Sequence, residues 1–284
     1  MGVDARLTVY AKDQKAAEDA CRAAFERVAA LDTIMSDYRI NSELNLLCAQ
    51  AGGPAVKVSA DLFAVFEKAQ RLSGLTDGLF DISASPVIRL WRTARKSGTL
   101  PAPEALSAAK ALVNYRWIHL DRKSRSVRLE KKGMQLDLGG IGKGYADDAA
   151  MNVLRKHGIR SAMIEMGGDI LVSNAPPGRP GWAIDVPNAT GQKGPLILKN
   201  CAISSSGDTE QFVVIDGKKY SHVVNPRTGL GLSEGVQATV ITRCAVDSDA
   251  LSTAMTLVDE KERKRISSAY RGTKVYVRRL PFSG

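Results

Sequence analysis

Four glycines fall within six residues, at positions 139, 140, 142 and 144, inside the run LDLGGIGKGYADD from Leu136 to Asp148. No other stretch restricts the backbone so tightly. Lacking Cβ atoms, these positions allow sharp turns and let the chain pass close to another surface. Helix-forming sequence begins directly behind them. The first turn of a helix carries N–H groups with no partner of their own, which favours anions, and Lys143 adds a positive charge. Two familiar phosphate loops are excluded. A Walker loop would need glycine where Asp137 stands and Ser or Thr after Lys143, and a Rossmann fingerprint would need glycine at Tyr145.

Around this turn the chain reads as short strands interrupted by helices. Alternating residues predict a strand over 6–11, and Ala20, Ala24, Val28, Leu31 and Met35 share the face of a helix over 16–35. Further helices are predicted over 59–73 with Ser59 as N-cap, over 101–112, behind Gly144, and over 247–257. Strands are predicted over 117–120, 126–129, 163–165, 170–172, 182–186, 196–199, 236–242 and 274–277. A hairpin pairs 211–215 with 220–224 through the turn Asp216-Gly217. This order lacks a regular βαβ rhythm and implies an α+β fold with mixed or antiparallel sheets flanked by helices. No repeat or long linker interrupts it, so one domain over residues 1–284 is expected.

The net charge of +10, from 40 basic and 30 acidic side chains, attracts anions. The basic residues are scattered, and aromatic residues do not interleave with them, which argues against a nucleic-acid surface and for a small anionic ligand. Cys21, Cys48, Cys201 and Cys244 form no Cys-x-x-Cys pair and read as buried free thiols. The chain shows no run of about 18 apolar residues, no basic and apolar leader, and no lipid-attachment cysteine near its start.

Three more segments carry candidate chemistry. Asp249 and Thr253 stand four apart on a predicted helix, so a carboxylate and a hydroxyl share one face as hard oxygen donors for Mg²⁺ or Ca²⁺. The alternative is that Asp247 or Asp249 caps this helix. Between two strands, Gly167-Gly168 makes a turn that aims Asp169. His222 leads into the turn Asn225-Pro226-Arg227. Neither a Gly-x-Ser-x-Gly elbow nor a His-Glu-x-x-His motif is present, so hydrolase and zincin readings lack support.

In order and spacing these pieces resemble the ApbE family, the FAD:protein FMN transferases. MSDYRINSE from Met35 to Glu43, Phe80-Asp81 with Pro86 and Leu90-Trp91, the glycine run, Gly167-Gly168-Asp169, Ser206-Gly207-Asp208, His222 to Gly229, and Asp249 to Thr253 follow in the family's sequence. The resemblance implies the T-fold-like ApbE architecture and a site for FAD. Tyr38 would contact the flavin, and Met1 with Leu79, Phe80 and Asp81 would complete the pocket. Asp137, Lys143, the segment Gly167, Gly168 and Asp169, and the backbone of Val223 would hold the dinucleotide. The carbonyl of Gly140, the carboxylate of Asp249 and the hydroxyl of Thr253 would bind Mg²⁺ or Ca²⁺. Ser252 stands where some members carry a second aspartate.

The implied reaction is transfer of FMN from FAD to a Thr or Ser hydroxyl of an acceptor protein, with AMP released. Asp249, Thr253, Lys143 and His222 would serve catalysis, His222 as the base. The acceptor would be a subunit of a membrane-associated electron-transfer complex, and the setting outside the cytoplasm. Two rivals share the site: an FAD pyrophosphatase that uses water in place of the acceptor, and a non-catalytic FAD-binding protein.

Overall fold

Strand and helix patterns meet in one six-stranded antiparallel sheet with three helices laid on one face. The structure is a computed structural model and describes residues 2–186, 194–207, 212–233 and 235–279. The chain enters through β1 (Ala5–Tyr10) and the long helix α1 (Gln14–Met35), then passes α2 (Glu43–Cys48), β2 (Val56–Lys57) and α3 (Ala60–Leu75). Next come α4 (Ser85–Ser97), α5 (Pro103–Lys110), β3 (Ile118–Asp121) and β4 (Ser126–Leu129). After α6 (Gly142–Lys156) follow β5 (Ser161–Met166), β6 (Asp169–Val172), β7 (Trp182–Ile184), β8 (Leu196–Leu198) and β9 (Cys201–Gly207). The chain closes with β10 (Phe212–Ile215), β11 (Lys218–Ser221), β12 (Val236–Thr242), α7 (Ala245–Leu257), α8 (Glu260–Ser268) and β13 (Lys274–Arg279).

The main sheet runs β1-β5-β6-β9-β12-β13, and every strand pair among the described residues is antiparallel. The fold is therefore α+β with antiparallel rather than mixed sheets. Period-two alternation sorts the faces. Ala162 and Ile164 of β5 turn toward α1 and α6, packing with Ala20, Ala24, Ala150, Met151 and Leu154. On the opposite face, Val172, Ile203 and Ile241 pack against Trp182, Ile184 and Leu196 of the β7–β8 hairpin. α7 lies over β9 and β12 on the helix face, where Ala250, Leu251 and Ala254 join Ala238 and Val240.

Ser59 caps α3 as expected, accepting from the Leu62 N–H at 3.2 Å. At the β10–β11 turn, Asp216 and Gly217 both hold positive φ (50° and 72°), as a type I′ turn demands. That turn closes in two residues, so the second strand begins at Lys218 and not at Tyr220. Gln211 of the expected first strand lies outside the described residues, as do Met1 and Asp208.

Several elements exceed the sequence-based expectation. β9 is polar at Ser204, Ser205 and Ser206, and is a strand because those hydroxyls find partners. Ser204 meets Ser248 at 2.9 Å and Ser205 meets Thr239 at 2.7 Å. α4 starts on Pro86 in its first turn and buries Val87, Trp91 and Ala94 at helical spacing. α7 begins at Ala245, two residues earlier than expected, and neither Asp247 nor Asp249 caps it. Asp148 of α6 accepts the N–H groups of Ala245 and Val246 at 2.9 and 3.0 Å instead. Asp247 pairs with Lys68 at 3.2 Å.

α6 and α7 approach so closely at Gly144 that a Cβ there would lie 2.2 Å from the Ala245 carbonyl oxygen. Gly144→Ala should therefore destabilise the protein by about 3 kcal/mol through overpacking. Gly74→Ala, near the end of α3 with nothing within 4 Å of the added methyl, should be neutral or stabilising by up to about 1 kcal/mol. Urea unfolding midpoints of the two variants check the contrast.

Candidate active site

The glycine run and α7 meet at a backbone hydrogen bond to a carboxylate. Gly144 lies in the first turn of α6, so its N–H has no partner within the helix. It donates to Asp249 Oδ2 at 2.9 Å instead. Among the described residues no backbone N–H donates to the Gly140 carbonyl, and the N–H groups of Gly140 and Lys143 have no protein acceptor. The opening of α6 thus keeps a free carbonyl and two free donors next to the N–H that the buried carboxylate takes. The missing Cβ of Gly140 also brings the backbone near Thr253, whose hydroxyl would lie 3.2 Å from such an atom.

Lys143 lies between two carboxylates, with Nζ 3.0 Å from Asp249 Oδ1 and 3.2 Å from Asp169 Oδ2. Burial alone would lower its pKa, but Asp249 and Asp169 outweigh burial and hold the ammonium above the ordinary lysine range. Burial and the nearby Asp249 push Asp169 up to about 7, with Lys143 acting against them. The turn that delivers Asp169 has positive φ at Gly167 and Gly168 (56° and 90°), which only glycine adopts cheaply in succession. Thr253 Oγ1 lies 3.2 Å from Ser206 Oγ. Ser252 is fully buried, its hydroxyl 2.8 Å from Ser206 Oγ and donating to the Asp249 carbonyl.

These groups open onto a cleft of about 1050 Å³, at the large end of small-molecule sites. Tyr38, Leu79, Phe80, Asp81, Asp137, Gly140, Lys143, Gly167, Gly168, Asp169, His222, Val223, Asp249 and Thr253 all line it. The structure therefore brings together every described residue to which a binding, metal or catalytic role was assigned. Three are less available than their roles suggest. The Asp81 carboxylate is committed to the Ser83 N–H, the Ser83 hydroxyl and the Tyr115 N–H at 2.7–2.8 Å. Val223 spends its N–H on Ser221 Oγ and its carbonyl on Leu232. Asp137 accepts from Gly139 N–H at 2.7 Å and from Arg92 at 2.7 Å.

Arg92 is the residue sequence reasoning missed. Its guanidinium bridges Asp137 and Asp37, and it lies 4.6 Å over the Tyr38 ring. The Tyr38 side remains 74% exposed, so one ring face stays open to a ligand while the other rests on Arg92. Burial and Asp37 raise the Asp137 carboxyl, and Arg92 counteracts them. Arg95, one turn on, lines the same cleft with no acceptor among the described residues. The only sequence signal was position: both follow Trp91 on one face of α4, hidden among scattered basic residues.

The chain matches the ApbE family over residues 1–277. An FAD:protein FMN transferase from Treponema pallidum is 32% identical over 276 residues, spanning 89% of this chain and 75% of that protein. The ApbE protein from Thermotoga maritima superimposes with a TM-score of 0.85 at 26% identity, covering 98% of this chain and 94% of that one. The Pseudomonas stutzeri flavinyl transferase ApbE, apo form, gives 0.83 at 25% identity, covering 98% and 92%.

Arg92→Leu would strand the buried Asp137 charge, and a stability loss of about 3–5 kcal/mol follows. Adding Asp137→Asn to that variant should recover part of the loss, since it removes the stranded charge. Chemical denaturation of the two single variants and the double variant gives the coupling directly.

Proposed function

The chain belongs to the ApbE family, and on that premise we propose that it transfers FMN from FAD to a threonine or serine hydroxyl of an acceptor protein, with a divalent cation in the cleft. FAD:protein FMN transfer is the activity its relatives carry in their names, and the enzyme class of this chain is theirs. The observation that carries the finer reading is the Gly144–Asp249 hydrogen bond. It joins a helix start with free N–H donors to a helix bearing a carboxylate and a hydroxyl, all on one cleft.

In this reading the FAD pyrophosphate lies against the N–H groups of Gly140 and Lys143, where the helix start favours negative charge. The open face of Tyr38 receives the flavin or its ribityl chain, and Arg92 fixes the ring from behind. Arg95 supplies a further cation to the phosphates.

The fit to a cation rests on donor chemistry. The Gly140 carbonyl, Asp249 and Thr253 offer three hard oxygens, the ligands that Mg²⁺ and Ca²⁺ take. Among the described residues no group of three His, Cys, Asp or Glu side chains forms a closed metal site. When bound, the cation supplies charge neutralisation at the pyrophosphate. Ser206 orients the Thr253 hydroxyl.

The acceptor hydroxyl attacks the FMN-side phosphorus while His222 takes its proton, and the bond to AMP breaks. A phosphoester to the protein forms, and AMP leaves with the displaced oxygen. The acceptor is a subunit of a membrane-associated electron-transfer complex, and the reaction takes place outside the cytoplasm, as the family resemblance implies.

Mass spectrometry of a candidate acceptor, incubated with FAD, Mg²⁺ and this protein, tests the proposal. The acceptor should gain one FMN, with one AMP released for each. Asp249→Asn should cut this transfer by roughly a hundredfold or more, on the scale of a lost charge-stabilising group. Transfer at the wild-type rate by that variant would remove Asp249 from the mechanism. AMP release without an acceptor, and without acceptor loading, would make the protein a pyrophosphatase.

A further inference from the structure

Asp147 is fully buried on α6, and neither of its carboxylate oxygens has a hydrogen-bond partner among the described residues. Buried polar groups are paired in the great majority of cases, so this acid calls for an explanation. It stands four residues after Lys143, on the same helix face, where side chains of opposite charge meet. Lys143 nevertheless reaches Asp249 and Asp169. Burial first, then the charges of Asp169 and Asp249, raise Asp147 far above the ordinary carboxyl range.

The carboxylate assigned above to a divalent cation is thus already engaged by a cation belonging to the chain. A doubly charged ion on Asp249 would repel an ammonium 3.0 Å from the same oxygen. The ammonium would have to move, and burial limits where it can go. Gly139 offers a carbonyl 3.4 Å from Nζ, but no charge. Asp147 is the buried acid within one helical turn that has no partner.

We propose that Lys143 is a tethered cation that occupies Asp249 in the metal-free protein and exchanges onto Asp147 when a divalent cation binds. This rests on the metal reading given above. It makes Lys143 and Asp147 positioning residues that set how tightly the site takes its metal. The ammonium faces Asp249 and Asp169 before metal arrives and Asp147 afterwards, so that the three charges of ion and ammonium then meet the three acids Asp249, Asp169 and Asp147. Asp249 is released without leaving a bare ammonium in the protein interior.

Mn²⁺ binding to the FAD-free protein, followed by the electron paramagnetic resonance of the free ion, tests the exchange. The proteins compared are wild type, Lys143→Gln, Asp147→Asn and the double variant. Removing the competing ammonium should tighten Mn²⁺ roughly tenfold, and removing its alternative partner should weaken Mn²⁺ by a similar factor, the scale of residues one layer behind a metal. The double variant should match Lys143→Gln, because Asp147 acts only through Lys143.

Unchanged or weaker binding by Lys143→Gln overturns the proposal. So does an Asp147→Asn loss that persists in the double variant, since Asp147 would then act by its own field. Should the Gln variant fail to fold, Asp147→Asn decides alone, and unchanged affinity there sinks the exchange. Wild-type protein that binds Mn²⁺ in the presence of FAD, with no tightening in Lys143→Gln, would leave the metal reading standing and remove only the exchange. No Mn²⁺ binding by any of these proteins, with or without FAD, would remove both.

Discussion

The contact between Gly144 and α7 is the constraint on which the site depends. A hydrogen bond of 2.9 Å from a backbone N–H to a buried carboxylate requires two helices to approach within side-chain-free distance. Only glycine permits that, since a methyl at 144 would collide with the Ala245 carbonyl and the Asp249 Cβ. The same bond satisfies a first-turn N–H of α6, whose opening keeps the Gly140 carbonyl free. Packing, backbone satisfaction and ligand chemistry are thus set by one interaction.

The polar groups behind this contact are held by one another. Asp148 terminates α7 by taking its first N–H groups, and the serines of β9 reach Ser248, Ser252 and Thr253 across the layer. A buried hydroxyl without a partner costs on the order of 1–3 kcal/mol, so the ladder of hydroxyls is what allows a polar strand to lie in the sheet interior. Two carboxylates, Asp169 and Asp249, share one ammonium beneath the cleft floor, and a third acid, Asp147, is buried on the same helix as that lysine without a hydrogen-bond partner. That imbalance suits a region that meets an added cation.

Much of this was legible in the sequence for physical reasons. The glycine run announced a close backbone approach, and Asp249 with Thr253 announced a shared helix face, because both signals are local and depend on spacing alone. Asp216-Gly217 announced a hairpin, since few residue pairs accept two positive φ values. What escaped depends on distant partners. Arg92 looks like any other arginine until the fold brings Asp37, Asp137 and Tyr38 around it. β9 resembles a loop by composition, because its strand character comes from hydroxyl partners on α7 and β12. The cap of α7 was sought among its own first residues, but Asp148, about a hundred positions earlier, supplies it. The family resemblance also implied a place for Asp81 in the pocket, and its carboxylate is consumed in holding Ser83 and Tyr115.

Hydrogen–deuterium exchange with and without FAD and Mg²⁺ tests most directly whether the opening of α6 and the face of α7 form one binding site. Peptides spanning 137–146 and 245–254 should gain protection together, and only when both FAD and Mg²⁺ are present at saturating levels should the gain be complete. Protection confined to one of the two segments, or to neither, would contradict the account.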